Sequence, residues 1–227
     1  MRHGSGSKKC EPVNGTGRGW HAMKEGIWTR EGVAAGYDLV AAGFLHGPVY
    51  LDCAKQAEWY DRFDQNALLL KETWQTLMGS LEGDRAKEEA VRDFHQCLEV
   101  PVPGLYVPPY ASCYLDRPAV LWGPSTRQVL TWYEQGGLEW QAFRHIVAPD
   151  HAGVEWAFLA ELNSDPSPEV FPIQILITDH IQKWFPLFLS HLEKAVESPY
   201  YPALARWGLA WITANHRIVE TDNEILS

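Results

Sequence analysis

The stretch that decides the fold is VFPIQILITDHIQKWFPLFLSHLEKAV, residues 170–196, in which apolar side chains return every three or four positions. A helix of about 3.6 residues per turn places such a set on one face. Pro186 removes one backbone donor within the stretch, so we expect a kink or a split there. The pattern predicts a long helix that faces the core through Val170, Ile173, Ile177, Ile181, Trp184, Phe188, Leu192 and Val196.

Helical spacing also dominates the rest of the chain. It begins at Glu31 and returns over residues 59–78, and short polar residues that favour helix starts stand at Asp84, Ser125 and Asp150. No segment alternates apolar and polar residues in the manner of a half-buried strand. We therefore predict an all-α protein, a single globular multi-helix bundle. The further predicted helices cover residues 84–98, 125–135, 150–163 and about 202–220.

Proline and glycine divide this bundle. The run Val100–Pro109 contains four prolines and Gly104, which makes it the best interior boundary. We predict two helical sub-lobes, about 31–100 and 108–220, which share one core and are also joined by residues 143–150. Residues 1–30 are rich in glycine and polar, which is typical of a disordered tail or of the remnant of an expression tag. Residues 221–227 are predicted to form a short tail.

The composition excludes some classes of partner. The 227 residues contain 19 Lys+Arg and 29 Asp+Glu, which gives a net charge of −10. Such a charge disfavours nucleic-acid binding, because that requires cationic side chains that displace phosphate counterions, and it favours cationic partners. Aromatic residues make up 12% of the chain, with 11 Trp, more than simple core filling requires. The tryptophans therefore need an explanation.

The cysteines and the amino terminus indicate a cytoplasmic protein without stable membrane insertion. The four cysteines, at positions 10, 53, 97 and 113, form no CxxC pair and no zinc-like spacing, so reduced thiols are expected. Residues 1–19 lack the apolar core of a secretory signal. The longest apolar candidate, 33–51, is interrupted by Asp38, His46, Gly47 and Pro48 and is not expected to span a bilayer.

One candidate site is the run VPPYASCYLD, residues 107–116. Its two prolines hold the backbone extended and project the aromatic residues that follow. Tyr110 and Tyr114, four apart, would share one face of a short helix and form a shelf for an incoming peptide, since rigid aromatic rings bury a large area at low entropic cost. The alternative is that these side chains only cover the core.

A second candidate is PDHAGVEW, residues 149–156. Asp150 is suited to accept backbone N–H bonds, while His151 and Glu155, four apart, would face the same side of a helix. These residues would suit an acid/base pair, a metal site or an anionic notch for a cationic ligand, and equally a helix cap with a solvated ion pair. No third ligand stands at an informative spacing, so we predict no metal site. We also predict no bound cofactor, because Gly15, Gly17 and Gly19 follow no apolar strand.

The order of several motifs resembles one known family. PPYASCYLD at 108–116 is followed by LWGPST at 121–126, by WY at 132–133 with GGL at 136–138, and by PDH at 149–151. Beyond these stand FL at 158–159, HxxxW at 180–184 and PYYxxL at 199–204. Over residues 31–215 the chain is similar to the TorD/DmsD/NarJ family of redox-enzyme maturation chaperones, and the DmsD-like branch matches best over 108–162.

The resemblance implies an all-helical, non-catalytic, cytoplasmic chaperone that binds the apo form and the twin-arginine signal peptide of a molybdoenzyme catalytic subunit. It would assist molybdopterin insertion, delay export until folding is complete, and exist as a monomer or a lobe-exchanged dimer. We further expect Asp150, with Glu155 as a second carboxylate, to face the arginines, so that an anionic rim surrounds an aromatic groove. The predicted client-binding residues are Phe94, Leu98, Pro109, Tyr110, Ser112, Tyr114, Asp150, His151 and Glu155.

Two other functions remain open at this stage. The first is a helical metal-dependent hydrolase that uses Asp150, His151 and Glu155, although no nucleophile elbow is present in the chain. The second is a helical scaffold without a peptide groove. This scaffold predicts no aromatic cleft near Asp150.

Overall fold

The computed structural model of the chain describes residues 29–51, 53–63, 67–138, 147–165 and 167–226. The predicted tail before residue 29, and residues 143–146 of the predicted second connection, lie outside this range. The helices are α1 Arg30–His46, α2 Cys53–Arg62, α3 Leu68–Gly79, α4 Asp84–Asp93, α5 Ser112–Leu115, α6 Pro124–Gln135, α7 Ala152–Ser164, α8 Phe171–Ala195 and α9 Tyr200–Leu226.

Helices account for all the regular secondary structure of the described residues. A π-helical turn, Phe94–Glu99, continues α4, and a 3₁₀ turn, Pro168–Val170, precedes α8. Within the described residues, the one β-type pairing is an isolated antiparallel bridge between Tyr110 and His151. The prediction of an all-α protein is confirmed.

One core is built from both halves of the chain. α1 has its most extensive packing against α7, and α9 packs against α1, α3 and α8. The ring centroids of Tyr37 in α1 and Trp156 in α7 are 5.8 Å apart, and Phe44 in α1 meets the edge of Phe185 in α8 at 5.6 Å. Because α1 packs mainly on a helix from the other predicted sub-lobe, neither half buries its apolar face alone.

The tryptophan surplus lies mainly inside the bundle. Trp59 and Trp74 stack at 5.0 Å between ring centroids, Trp207 and Trp211 stack at 5.2 Å, and Trp59 joins the two pairs at 5.7 Å from Trp207. Such aromatic contacts add about 0.5–1.5 kcal/mol per pair beyond the area they bury. Trp184, which was predicted to face the core, is buried, as are Trp59, Trp74 and Trp156.

The structure fixes the helix limits in three regions that the sequence left open or placed differently. Residues 59–78 form two helices that stack on each other through Trp59 and Trp74. α8 continues through Pro186, because this residue is exposed and the carbonyl group that loses its donor can bond to water. α9 extends to Leu226, so the predicted end at Glu220 falls inside the helix.

None of the described helices combines the length and the apolar composition needed to cross a lipid bilayer.

Candidate functional site

The two candidate motifs of the sequence cross each other in the structure. The amide of Ala111 donates to the carbonyl of Asp150 at 2.9 Å, and the amide of Ala152 donates to the carbonyl of Pro109 at 2.7 Å. These bonds form the bridge between Tyr110 and His151. The proline-led segment before α5 is therefore fixed to the start of α7, far away along the chain.

The buried side chain of Asp150 also stabilises this crossing. Its Oδ2 accepts from the amide of Ser112 at 2.8 Å, which satisfies a backbone donor at the start of α5. Its Oδ1 is buried and has no hydrogen-bond partner among the described residues. The carboxylate, which was expected at the rim of a groove, is fully buried.

The predicted cap of α7 needs correction. His151, not Asp150, is the N-cap, and its Nδ1 accepts from the amide of Gly153 at 3.1 Å. Asp150 is drawn away by Ser112, a partner that no local sequence pattern reveals. The edge of the His151 ring meets the Tyr110 ring at 5.1 Å, so the cap also supports an aromatic residue of the predicted site.

Burial keeps the His151 imidazole neutral. It lowers the pKa of His151 to about 3, well below the ordinary value of 6.5. A neutral ring is also what the cap requires, because Nδ1 must be unprotonated to accept the Gly153 amide. In acid the unfolded chain takes up this proton below pH 6.5, whereas the folded chain does not until about pH 3.

We expect His151 to make the fold sensitive to acid. Below pH 6.5 the free energy of unfolding falls by about 1.4 kcal/mol per pH unit through this group. Between pH 7 and pH 5 the protein should therefore lose about 2 kcal/mol of stability. Urea denaturation of wild type and His151→Asn at both pH values measures it, since asparagine caps a helix without titrating. If both proteins lose the same stability between the two pH values, His151 does not carry the effect.

Glu155 lies one turn into α7 and is fully buried. Its Oε1 is 3.1 Å from His180 Nε2, and its Oε2 accepts from the indole Nε1 of Trp184 at 2.9 Å. Burial raises the pKa of Glu155, opposed by these two partners. Burial alone would lower the pKa of His180, but the Glu155 carboxylate outweighs it and raises that pKa. Glu155 therefore holds two residues of α8 instead of facing solvent.

Three half-buried tyrosines, Tyr106, Tyr110 and Tyr114, form what we call the tyrosine shelf. The Tyr114 hydroxyl donates to the carbonyl of Pro108 at 2.9 Å, and its ring stacks on Trp184 at 5.8 Å. Tyr106 and Tyr110 lie close enough for their hydroxyls to influence each other electrostatically. Tyr106 was not among the predicted site residues, although its spacing of four from Tyr110 repeats the spacing of Tyr110 and Tyr114.

The shelf is suited to binding and presents no activated nucleophile. Burial raises the pKa of all three tyrosines, so their hydroxyls are neutral hydrogen-bonding groups. Burial also raises the pKa of the neighbouring Cys113 to about 11, which keeps it a thiol. What the shelf offers to a ligand is aromatic surface and neutral hydroxyls.

Not all predicted site residues meet at the shelf. Pro109, Ser112, Asp150 and His151 lie at the crossing that carries it, and Glu155 lies behind Trp184. Phe94 and Leu98 are buried in the π-helical turn, where Phe94 stacks on Tyr201 at 6.3 Å. That turn is joined to the segment that carries the shelf by the amide of Val107, which donates to the Cys97 carbonyl at 2.8 Å.

Within the described part of the chain, no group of three or more His, Cys, Asp or Glu side chains is arranged to hold a metal ion. Asp150, His151 and Glu155 each engage a different partner, namely the amides of Ser112 and Gly153 and the pair His180 and Trp184. Their side chains do not converge on one point.

Comparison with known proteins agrees with the motif order. Over 122 residues the chain is 30% identical to the Tat proofreading chaperone DmsD of Salmonella typhi, an alignment that covers 52% of this chain and 57% of that protein. The chain thus spans a little more than half the length of that curated relative. The family model described as nitrate reductase delta subunit matches residues 61–190, a region that contains every predicted site residue.

This match covers more than half of the chain and confirms the resemblance drawn from the motifs, including its DmsD-like character. The chain belongs to the nitrate reductase delta subunit family, the family of the NarJ- and TorD-like proteins.

Proposed function

We propose that this chain is a cytoplasmic chaperone that binds the apo form of a molybdoenzyme catalytic subunit through its twin-arginine signal peptide. It would hold the subunit back from export while the molybdopterin cofactor is inserted and folding is completed. The observation that carries this proposal is the tyrosine shelf: three neutral, half-buried tyrosines on a crossing fixed by hydrogen bonds.

The shelf matches the apolar part of a signal peptide. An extended or helical apolar segment gains most from rings that are already ordered, because little side-chain entropy is lost on binding. Tyr114 is ordered twice, by its hydroxyl bond to Pro108 and by its stacking on Trp184. Trp184 is in turn fixed by Glu155. Glu155 thus acts as a positioning residue behind the shelf, since both of its oxygens are occupied.

The paired arginines of such a peptide need acceptors. The net charge of −10 favours their approach at long range. At the shelf we assign one acceptor to Asp150, whose Oδ1 has no hydrogen-bond partner among the described residues. Because Asp150 is fully buried, contact requires the Tyr110 side of the shelf to move aside when the peptide binds. Because the His151 ring contacts the Tyr110 ring, the same movement would uncover His151.

The relative's name supports the same function. A Tat proofreading chaperone acts on substrates of the twin-arginine route, and we extend this role to the present chain as part of the proposal. The proposal assigns no catalytic step to this chain. The alternative of a metal-dependent hydrolase gains no support from the geometry, because Asp150, His151 and Glu155 engage separate partners.

The proposal predicts that the shelf contributes much of the affinity for the peptide. In isothermal titration with a molybdoenzyme twin-arginine signal peptide, Tyr114→Ala should weaken binding by about tenfold or more, because it removes a central aromatic contact. Tyr114→Phe should retain most of the affinity, since the ring and its stacking on Trp184 remain.

Asp150→Asn should weaken binding of the arginine peptide more than it weakens binding of a peptide with two glutamines in place of the arginines.

Tyr50→Ala provides the matched control. Tyr50 is 51% exposed and lies beside Lys87, Val91 and Arg92 of α4, none of which belongs to the shelf. Its replacement should leave the affinity unchanged. The assignment of the shelf fails if Tyr50→Ala and Tyr114→Ala weaken binding equally, or if neither does while the wild-type chain binds the peptide.

A further inference from the structure

The loop between α5 and α6 exposes three consecutive apolar side chains. Val120, Leu121 and Trp122 are 46%, 50% and 52% exposed. We call residues 117–123 the Trp122 loop. A single exposed leucine is ordinary on a protein surface, but a run of three that ends in tryptophan is an unusual use of apolar residues.

The Trp122 loop is anchored at both ends. The carboxylate of Asp116, which is buried, accepts from the amide of Ser125 at 3.1 Å and from its hydroxyl at 2.6 Å. Trp122 has a φ of 63°, a region that side-chain-bearing residues rarely adopt, and Arg127 donates to its carbonyl at 3.3 Å. The Trp122 side chain leaves about half of its surface in solvent, and a strained backbone at such an exposed residue points to a role in function.

Asp116 is buried, and the exposed charges of the segment that follows it are opposite in sign to the net charge of the chain. From Arg117 to Tyr133 there are two arginines and no acidic residue, in a chain that has 29 acidic residues. Both Arg117 and Arg127 are exposed. The loop therefore combines an apolar tip with a cationic base, which is complementary to an anionic surface that has an apolar interior.

The small apolar area of the loop favours a lipid surface over a protein as its binding partner. Complete burial of the three side chains would cover on the order of 300 Å², well below the roughly 800 Å² per partner of a stable protein interface. A lipid surface has no such requirement. Tryptophan prefers the boundary between headgroups and acyl chains, and each arginine near an anionic leaflet strengthens binding by about fivefold.

We propose that the Trp122 loop is a peripheral membrane contact that docks on anionic lipid. Leu121 and Trp122 enter the interfacial layer, and Arg117 and Arg127 bind lipid phosphates. The contact is reversible, because one short apolar tip and two cations give weak binding that salt screens. The inference rests on the loop itself and does not depend on the identity of the client.

Flotation of the purified full-length protein with lipid vesicles tests this contact. Vesicles of phosphatidylcholine with phosphatidylglycerol are compared with vesicles of phosphatidylcholine alone, at low and at physiological salt. The wild-type protein should float with the anionic vesicles, and more so at low salt. Leu121→Ser/Trp122→Ser should reduce the bound fraction about tenfold, and Arg117→Gln/Arg127→Gln should reduce it by more than tenfold at low salt.

The matched control is Leu68→Ser/Leu69→Ser, which removes two leucines that are 63% and 59% exposed at the start of α3. It should bind vesicles as the wild type does, and thermal unfolding confirms that all variants are folded. The proposal is overturned if the wild type does not float with anionic vesicles. The partner of the loop would then be an acidic protein segment. Equal loss of binding in the control and the loop variants would also contradict it.

Discussion

Replacement of Glu155 by alanine is expected to lower the free energy of unfolding by about 3–5 kcal/mol, because it removes one partner of a buried ion pair. His180 would keep a buried ring without its acceptor, and the indole Nε1 of Trp184 would lose the carboxylate to which it donates. Urea denaturation at pH 6.5, followed by circular dichroism, measures this loss.

Two controls make this result specific. Glu155→Gln retains an acceptor for Trp184 and a donor for neutral His180, so it should cost about 1–2 kcal/mol. Glu161→Ala removes an exposed carboxylate from the same helix and should change stability by no more than about 0.5 kcal/mol. If Glu155→Ala is as mild as Glu161→Ala, the buried pair does not stabilise the fold as described.

The second large effect is expected at Gly36, where α1 meets α9. A Cβ atom at this position would lie 2.2 Å from Cε2 and 2.4 Å from Nε1 of Trp211. The Trp211 ring is fully buried, stacked on Trp207, and its Nε1 donates to the carbonyl of Val33. Since the ring has no room to retreat, Gly36→Ala should lower the free energy of unfolding by about 2–3 kcal/mol.

Gly79 is the matched control for this substitution. It ends α3, and an added Cβ atom would meet nothing within 4 Å. Gly79→Ala should therefore be neutral or stabilise the protein by up to about 1 kcal/mol, through its lower backbone entropy cost. Opposite signs for the two substitutions, measured by thermal unfolding, support the packing of α1 on α9. A harmless Gly36→Ala would contradict it.

The helical content could be predicted because apolar spacing is a local property. The seam from Ile173 to Leu192 lies on one buried face of α8, as its period requires. The π-helical turn at Phe94–Glu99 could not be predicted, since an extra residue in a turn leaves the spacing of apolar residues nearly unchanged. The predicted end of α9 at Glu220 is too early, because the polar residues 220–224 interrupt the apolar spacing while the helix continues to Leu226.

The sequence indicated most residues of the candidate site, but not the hydrogen bonds that join them. Tyr110, Tyr114, Asp150 and His151 were selected by residue type and motif, and the structure places them at one crossing. Which carboxylate oxygen binds which amide depends on two segments that meet only in three dimensions. For the same reason Glu155, expected at an anionic rim, lies in the core beside His180, a contact between α7 and α8 that helical spacing does not encode.

The central claim is that this chain recognises a twin-arginine signal peptide. The most direct measurement is an isothermal titration of the wild-type chain with a panel of twin-arginine signal peptides from molybdoenzymes. The account predicts a saturable one-to-one complex, with affinity at least about tenfold lower when both arginines are replaced by glutamine. No binding, or equal affinity for the two peptides, would contradict it.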